Sequence, residues 1–210
     1  MALVGKKAPL FTAPAVIDGK KIVENFSLTQ FIGEKYIILF FYPGDFTFVC
    51  PTELIAFQKH IQEFQDRDAV VIACSTDSVY SHYKWLNTPQ EQGGIQGVKY
   101  PVVSDQSLTI SENYGVLGGQ YGYTEDGIAV FEGTPVAYRG LFIIDKQGTI
   151  KYEVVNDLSI GRSIKETLRV LDAIIFSEKN GVVCPADWEP GKEAIKPNFD
   201  DVAKYLKNHK

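Results

Sequence analysis

Three cysteines in a chain of 210 residues are too few, and odd in number, to staple a disulfide scaffold. Each is therefore a packed side chain, a metal ligand or a reactive thiol. Spacing argues against metal: the cysteines are Cys50, Cys74 and Cys184 and the histidines His60, His82 and His209, with no pair at close ligand spacing. Neither a metal nor another cofactor is expected. Long apolar runs are missing too. The longest, Tyr36 to Tyr42, is far short of the roughly 20 residues that span a bilayer, and the opening Met1-Ala-Leu-Val-Gly-Lys-Lys7 lacks the apolar stretch of a secretory signal. Positive charge is not in excess either. With 21 Lys+Arg against 26 Asp+Glu and a net charge of -5, the chain has no general attraction for phosphate backbones. The expectation is a soluble, cytoplasmic protein with neither a membrane nor a nucleic-acid partner.

Core material is plentiful. The chain is 45% hydrophobic and 12% aromatic, enough for one folded domain with a substantial core and an appended arm. Tyr36-Ile-Ile-Leu-Phe-Phe-Tyr42 and Ala69-Val-Val-Ile-Ala-Cys74 have the composition of buried strands. Between them Leu54, Phe57, Ile61 and Phe64 recur at steps of three and four, which predicts one helix with a single apolar face. Strand, helix, strand implies parallel pairing with a right-handed crossover. A further strand at Leu141–Ile144 turns at Asp145-Lys-Gln-Gly148 into an antiparallel partner over Thr149–Val155, so the sheet is mixed.

Ile164, Leu168, Leu171 and Ile175 mark a second amphipathic helix that should cover a sheet face, with Arg162 or Ser163 near its start. From about Asn180 the pattern breaks at Cys184-Pro185, Pro190-Gly191 and Pro197 before a polar helix at Asp200–Lys207. This stretch is expected to be an arm outside the main core. Glu91–Gly94 and Gly118–Gly122 are expected to be loops, since neither glycine cluster matches a phosphate-binding fingerprint.

Cys50 stands where the first helix begins, in Pro43-Gly-Asp-Phe-Thr47-Phe-Val-Cys50-Pro51-Thr-Glu53. Unpaired N–H groups and the positive end of the helix dipole favour a thiolate there, and Pro51 suits the first turn. An unperturbed thiol is only about 3% ionised at neutral pH, so the helix end alone is too weak and a cation is needed. Full ionisation would raise the thiolate population only about thirtyfold. Most of any acceleration must therefore come from positioning the reacting bond and stabilising its developing charge, for which arginine is well suited.

Pro43, Thr47 and Cys50 form a P-x-x-x-T-x-x-C pattern, and in this the chain resembles the peroxiredoxins, specifically their typical two-cysteine branch. The resemblance runs on in order through Val102-Val-Ser-Asp105, Tyr138-Arg-Gly-Leu-Phe-Ile-Ile-Asp145, Val155-Asn-Asp-Leu-Ser-Ile-Gly-Arg-Ser163 and Gly181-Val-Val-Cys-Pro185. It implies an α/β thioredoxin-like fold, with a mixed central sheet flanked by helices over residues 1–179 and a C-terminal arm over 180–210. It implies a peroxide site of Cys50, Thr47, Pro43 and Arg139, supported by Glu53 and Arg162, with Cys184 of the partner subunit resolving oxidised Cys50 as an intersubunit disulfide. By the same resemblance the substrates are hydrogen peroxide and organic hydroperoxides, the reductant is a thioredoxin-type protein, and the assembly is a homodimer, extended to a decameric ring of five dimers. Gly44 departs from related sequences, which often carry a larger apolar residue there. Two elements tied to overoxidation in sensitive relatives also read differently, as Gly93-Gly94-Ile95-Gln96-Gly97 and Tyr205-Leu206.

Cys74, inside an apolar strand, reads as a packed side chain, and His82, Trp85 and Trp188 as packing or interface residues. A dithiol-disulfide exchanger is disfavoured because Cys50-Pro-Thr-Glu53 contains no C-x-x-C pair. A redox-regulated holdase chaperone or peroxide sensor is the alternative from another class, as an additional function.

Overall fold

The computed structural model describes residues 2–209, in two compact units that divide between Arg162 and Ser163. The first contains strands β1 (Thr12–Ile17), β2 (Lys21–Ser27), β3 (Tyr36–Phe41), β4 (Ala69–Ser75), β5 (Val102–Ser104), β6 (Leu117–Tyr123), β7 (Ala129–Ala137), β8 (Arg139–Ile144) and β9 (Ile150–Asn156). Its helices are α1 (Cys50–Lys59), α2 (Ile61–Gln65), α3 (Val79–Leu86) and α4 (Thr109–Asn113).

Seven strands make one sheet in the order β2-β1-β5-β4-β3-β8-β9. β3 runs parallel to β4 and antiparallel to β8, so the sheet is mixed, as the sequence predicts. All six residues of β3 are buried, because both faces are covered. On one face Phe40 stacks on Phe57 of α1 with ring centroids 4.3 Å apart. On the other, Phe41 packs against Tyr114 at 5.3 Å and Phe142 at 5.9 Å. Period-two alternation thus places neighbouring aromatic rings in different layers.

The single helix expected through Phe64 is two helices. They meet at His60, whose φ of -101° and ψ of 11° leave the helical region. Leu54, Phe57 and Phe64 are buried as expected, whereas Ile61, just beyond the break, is only partly so.

The Gly118–Gly122 segment is a strand rather than a loop: β6 pairs antiparallel with β7 as a separate two-stranded hairpin. Glycine is needed there for close approach, not for a turn. A Cβ at Gly119 would collide with the Glu132 carbonyl and the Phe131 ring on the facing strand.

The second unit contains α5 (Ile164–Asn180) and α6 (Phe199–Asn208). Ser163 caps α5 by accepting from the Glu166 N–H, and Gly181 ends it in the left-handed region at φ +63°. The chain then folds back on the helix: Trp188 packs on Phe176 at 5.0 Å, and Arg169 donates to the Trp188 carbonyl at 2.7 Å. Among the described residues, no helix is long and apolar enough to cross a membrane.

Candidate active site

β3 ends at Phe41 and α1 begins at Cys50, so the loop between them delivers Cys50 to the start of a helix. Val49 occupies the N-cap position, no side chain caps the helix, and Pro51 sits in the first turn. The helix end is thus left open toward a sulfur that is wholly buried.

Arg139, the first residue of β8, is brought across by the β3–β8 pairing. Its Nη1 donates to Cys50 Sγ at 3.3 Å and to Glu53 Oε2 at 2.7 Å. Its Nε and Nη2 both donate to the Leu158 carbonyl, at 2.8 and 2.6 Å, which fixes the guanidinium plane. Glu53, one turn into α1, is in turn gripped by Arg162. Arg162 donates from its backbone N and Nε to Oε1, at 2.9 and 2.7 Å, and from Nη2 to Oε2 at 2.9 Å. The remaining Arg162 nitrogen reaches the carbonyls of Phe41 and Gly140. Burial pulls the Arg162 guanidinium below the ordinary arginine value, and Glu53 opposes that shift.

Two buried arginines therefore share one buried carboxylate, and the positive charge left over lies against the Cys50 sulfur. A thiolate cancels it; a neutral thiol does not. The structure thus brings Cys50, Arg139, Glu53 and Arg162 together. Thr47 and Pro43 lie on the loop leading to Cys50. Thr47 is exposed and its hydroxyl donates to the Gly44 carbonyl at 2.8 Å, which leaves its lone pairs to accept from a ligand. A Cβ on Gly44 would find only ordinary contacts with Asp77 and Thr47, so nothing around that position demands glycine.

Cys184 belongs to the second unit, part-buried, with Sγ donating to the Ala173 carbonyl at 3.6 Å. Burial pushes its thiol upward, partly offset by Arg169. Cys74 is fully buried in β4, and burial, with Asp105 adding to it, pushes its thiol well above the usual range. Among the described residues no group of three or more His, Cys, Asp or Glu side chains could hold a metal ion.

The AhpC/TSA family model matches residues 4–153, and that of the C-terminal domain of 1-Cys peroxiredoxin matches residues 173–208. Peroxiredoxin-2 of Cricetulus griseus is 46% identical over 208 residues, covering 99% of this chain and 97% of the relative. The chain belongs to the peroxiredoxin family. Members of that family are thiol-dependent peroxidases with a thioredoxin-like α/β fold. A thioredoxin peroxidase of Echinococcus granulosus is also 46% identical, over 98% of both chains. The reduced 2-Cys peroxiredoxin of Plasmodium vivax superimposes on this peroxiredoxin with a TM-score of 0.88 at 43% identity, covering 99% of this chain and all of that one.

Sequence reasoning missed a second cluster beside the Cys50 loop. Asp45 accepts from the Tyr42 hydroxyl at 2.8 Å and meets His82 Nδ1 at 2.9 Å. His82 read as a packing residue because a lone histidine on a helix carries no local sign of a partner 37 positions away. The signal that could have exposed it is its place on the apolar face of α3, three residues before buried Trp85.

Proposed function

We propose that Cys50 is the thiol this peroxiredoxin oxidises, with Thr47, Pro43 and Arg139 completing the peroxide site and Glu53 and Arg162 orienting Arg139. The protein is a thiol-dependent peroxidase, and its substrates in this reading are hydrogen peroxide and small organic hydroperoxides. The observation that carries it is the uncompensated arginine charge set 3.3 Å from a buried sulfur at an uncapped helix start.

In the first step the Cys50 thiolate attacks the terminal oxygen of the hydroperoxide. A sulfur–oxygen bond forms, the O–O bond breaks, and both of its electrons leave on the other oxygen, which takes up a proton and departs as alcohol or water. Arg139 supplies donors where negative charge grows on that oxygen. Thr47 accepts from the hydroperoxide O–H, and Pro43 shields the sulfur from water. Cys50 is left as a sulfenic acid. In the second step the thiolate of Cys184 of the partner subunit attacks the Cys50 sulfur, hydroxide leaves as water after protonation, and an intersubunit disulfide results. A thioredoxin-type dithiol then supplies two electrons and restores both thiols.

This places Cys184 on an arm formed by residues 180–210 that serves the partner's peroxidase domain, residues 1–179. The protein works as a homodimer in the cytoplasm, where thiols are kept reduced, and five dimers close into a ring. β9 supports a dimer contact. It forms one edge of the seven-stranded sheet, and Val155 within it, with Leu158 and Ile160 just beyond, is exposed.

The test is peroxide consumption with a thioredoxin donor system, comparing the wild type with Cys50→Ser. Loss of turnover in a folded variant is expected. Turnover near the wild-type rate would overturn the assignment of Cys50.

A further inference from the structure

The loop that carries Cys50 is held on its inner side by residues that do not touch the sulfur. The Asp45 N–H donates to Asp77 Oδ2 at 3.0 Å, and Asp77 is itself fixed by Ser75 Oγ at 2.6 Å. The Asp45 carboxylate takes the Tyr42 hydroxyl on Oδ1 and faces His82 Nδ1 with Oδ2. His82, on α3, is fully buried, and its Nε2 lies 3.2 Å from the Val103 carbonyl of β5. Phe46, the next loop residue, adopts a left-handed φ of +53° and packs its ring 5.9 Å from Trp85. A non-glycine residue holds that conformation only where its surroundings impose it.

Proton bookkeeping defines the pair. The Val103 carbonyl can only accept, so Nε2 donates to it, while the Tyr42 hydrogen goes to Asp45 Oδ1 at 2.8 Å in preference to the more distant Nδ1 at 3.3 Å. The contact between Oδ2 and Nδ1 therefore holds a proton of its own, in a pair whose side-chain exposures are 0% and 1%. Packed apolar groups would stabilise a core as well as such a pair does, so what the pair adds is a defined direction. Here that direction runs from α3 and β5 to the midpoint of the segment between Pro43 and Thr47.

We propose that His82 and Asp45 are positioning residues for the peroxide step: they hold Pro43, Thr47 and the start of α1 in register so that an incoming hydroperoxide meets Cys50 and Arg139 aligned. The inference rests on the reading of Cys50 as the reacting thiol.

Two isosteric variants separate positioning from packing. In His82→Asn the amide nitrogen stands where Nδ1 was and keeps the donor to Asp45, whereas in His82→Gln it stands where Nε2 was and keeps only the donor to Val103. The second-order rate with hydrogen peroxide, measured by competition with a peroxidase of known rate, is expected to be roughly tenfold lower in His82→Gln than in His82→Asn, a fraction of the hundredfold that a misplacement of about 1 Å costs. Equal rates in the two variants would overturn the role of His82, whatever their distance from the wild type. Should either variant fail to fold, Tyr42→Phe decides, because it keeps the ring and removes one donor to Asp45; a wild-type rate there would equally overturn the proposal. Dimedone trapping of sulfenic acid keeps the two readings apart. An unlabelled Cys50 in the wild type sinks the assignment of Cys50 itself, while labelled Cys50 with equal Asn and Gln rates sinks only the clamp.

Discussion

Arg139 touches the sulfur of Cys50 with the same nitrogen that binds Glu53, at 3.3 and 2.7 Å respectively. The other two nitrogens of the fork are spent on the Leu158 carbonyl, so the contact with sulfur is set by geometry at three points. Arg139→Lys keeps the charge but replaces the fork with a single ammonium. The second-order rate with peroxide should fall by about a hundredfold or more, the scale of losing a preorganised donor at a developing oxyanion. An unchanged rate would remove Arg139 from the mechanism.

Glu53 is the carboxylate that joins the two arginines of the cluster. Glu53→Gln preserves its shape and removes the charge, leaving two buried cations without the carboxylate they share. The expected loss of stability is on the order of 3 kcal/mol, typical of breaking one partner out of a buried pair, together with a slower peroxide step as Arg139 loses its anchor. Urea unfolding and peroxide competition on the same variant check both, and an unaltered urea midpoint would contradict the charge argument.

Cys184→Ser should abolish the disulfide-linked dimer on non-reducing denaturing gels after peroxide treatment. Without a resolving thiol, Cys50 sulfenic acid stays exposed to a second peroxide, so sulfinic acid should accumulate in intact mass spectra at lower peroxide than in the wild type. In the reduced wild type, burial holds the Cys184 thiol above its ordinary value. Its alkylation by iodoacetamide at neutral pH should therefore be slower than that of a free thiol and should accelerate as pH rises. Efficient dimer formation by the serine variant would refute the intersubunit scheme.

Cys74 makes stability depend on alkaline pH. Burial pushes its thiol well above the usual range, and the buried hydroxyls of Tyr42, Tyr100 and Tyr114 are displaced the same way. The folded state keeps these protons after the unfolded chain has released them. Their contribution is therefore complete below the ordinary thiol value of about 8.5 and is lost as pH rises above it, with the tyrosines joining near 10. The urea midpoint should fall between pH 8 and pH 10, and less steeply in Cys74→Ala than in the wild type. Parallel slopes would show that Cys74 does not titrate on unfolding.

Much of this protein is written in short-range pattern. The apolar run of β3, the start of α5 near Arg162 or Ser163 and the placement of Cys50 before Pro51 all depend on residues within a few positions of one another and could be read directly, whereas the three-and-four spacing from Leu54 to Phe64 ran across a break at His60 that it did not reveal. Motif order was equally legible and placed Arg139, Glu53, Arg162 and Cys184 among the residues of interest. The glycines of β6 misled because a turn and a close strand crossing require the same residue, and only the facing Phe131 and Glu132 distinguish them. The contacts that give the site its chemistry join residues 86, 89 and 109 positions apart, and two of its acceptors are the backbone carbonyls of Leu158 and Val103, which have no sequence signature. Those pairings follow from strand order and register. They were decided only when β8 was laid beside β3 and α3 against the end of the Cys50 loop, because hydrogen-bond geometry is a property of relative position in space and not of neighbourhood along the chain.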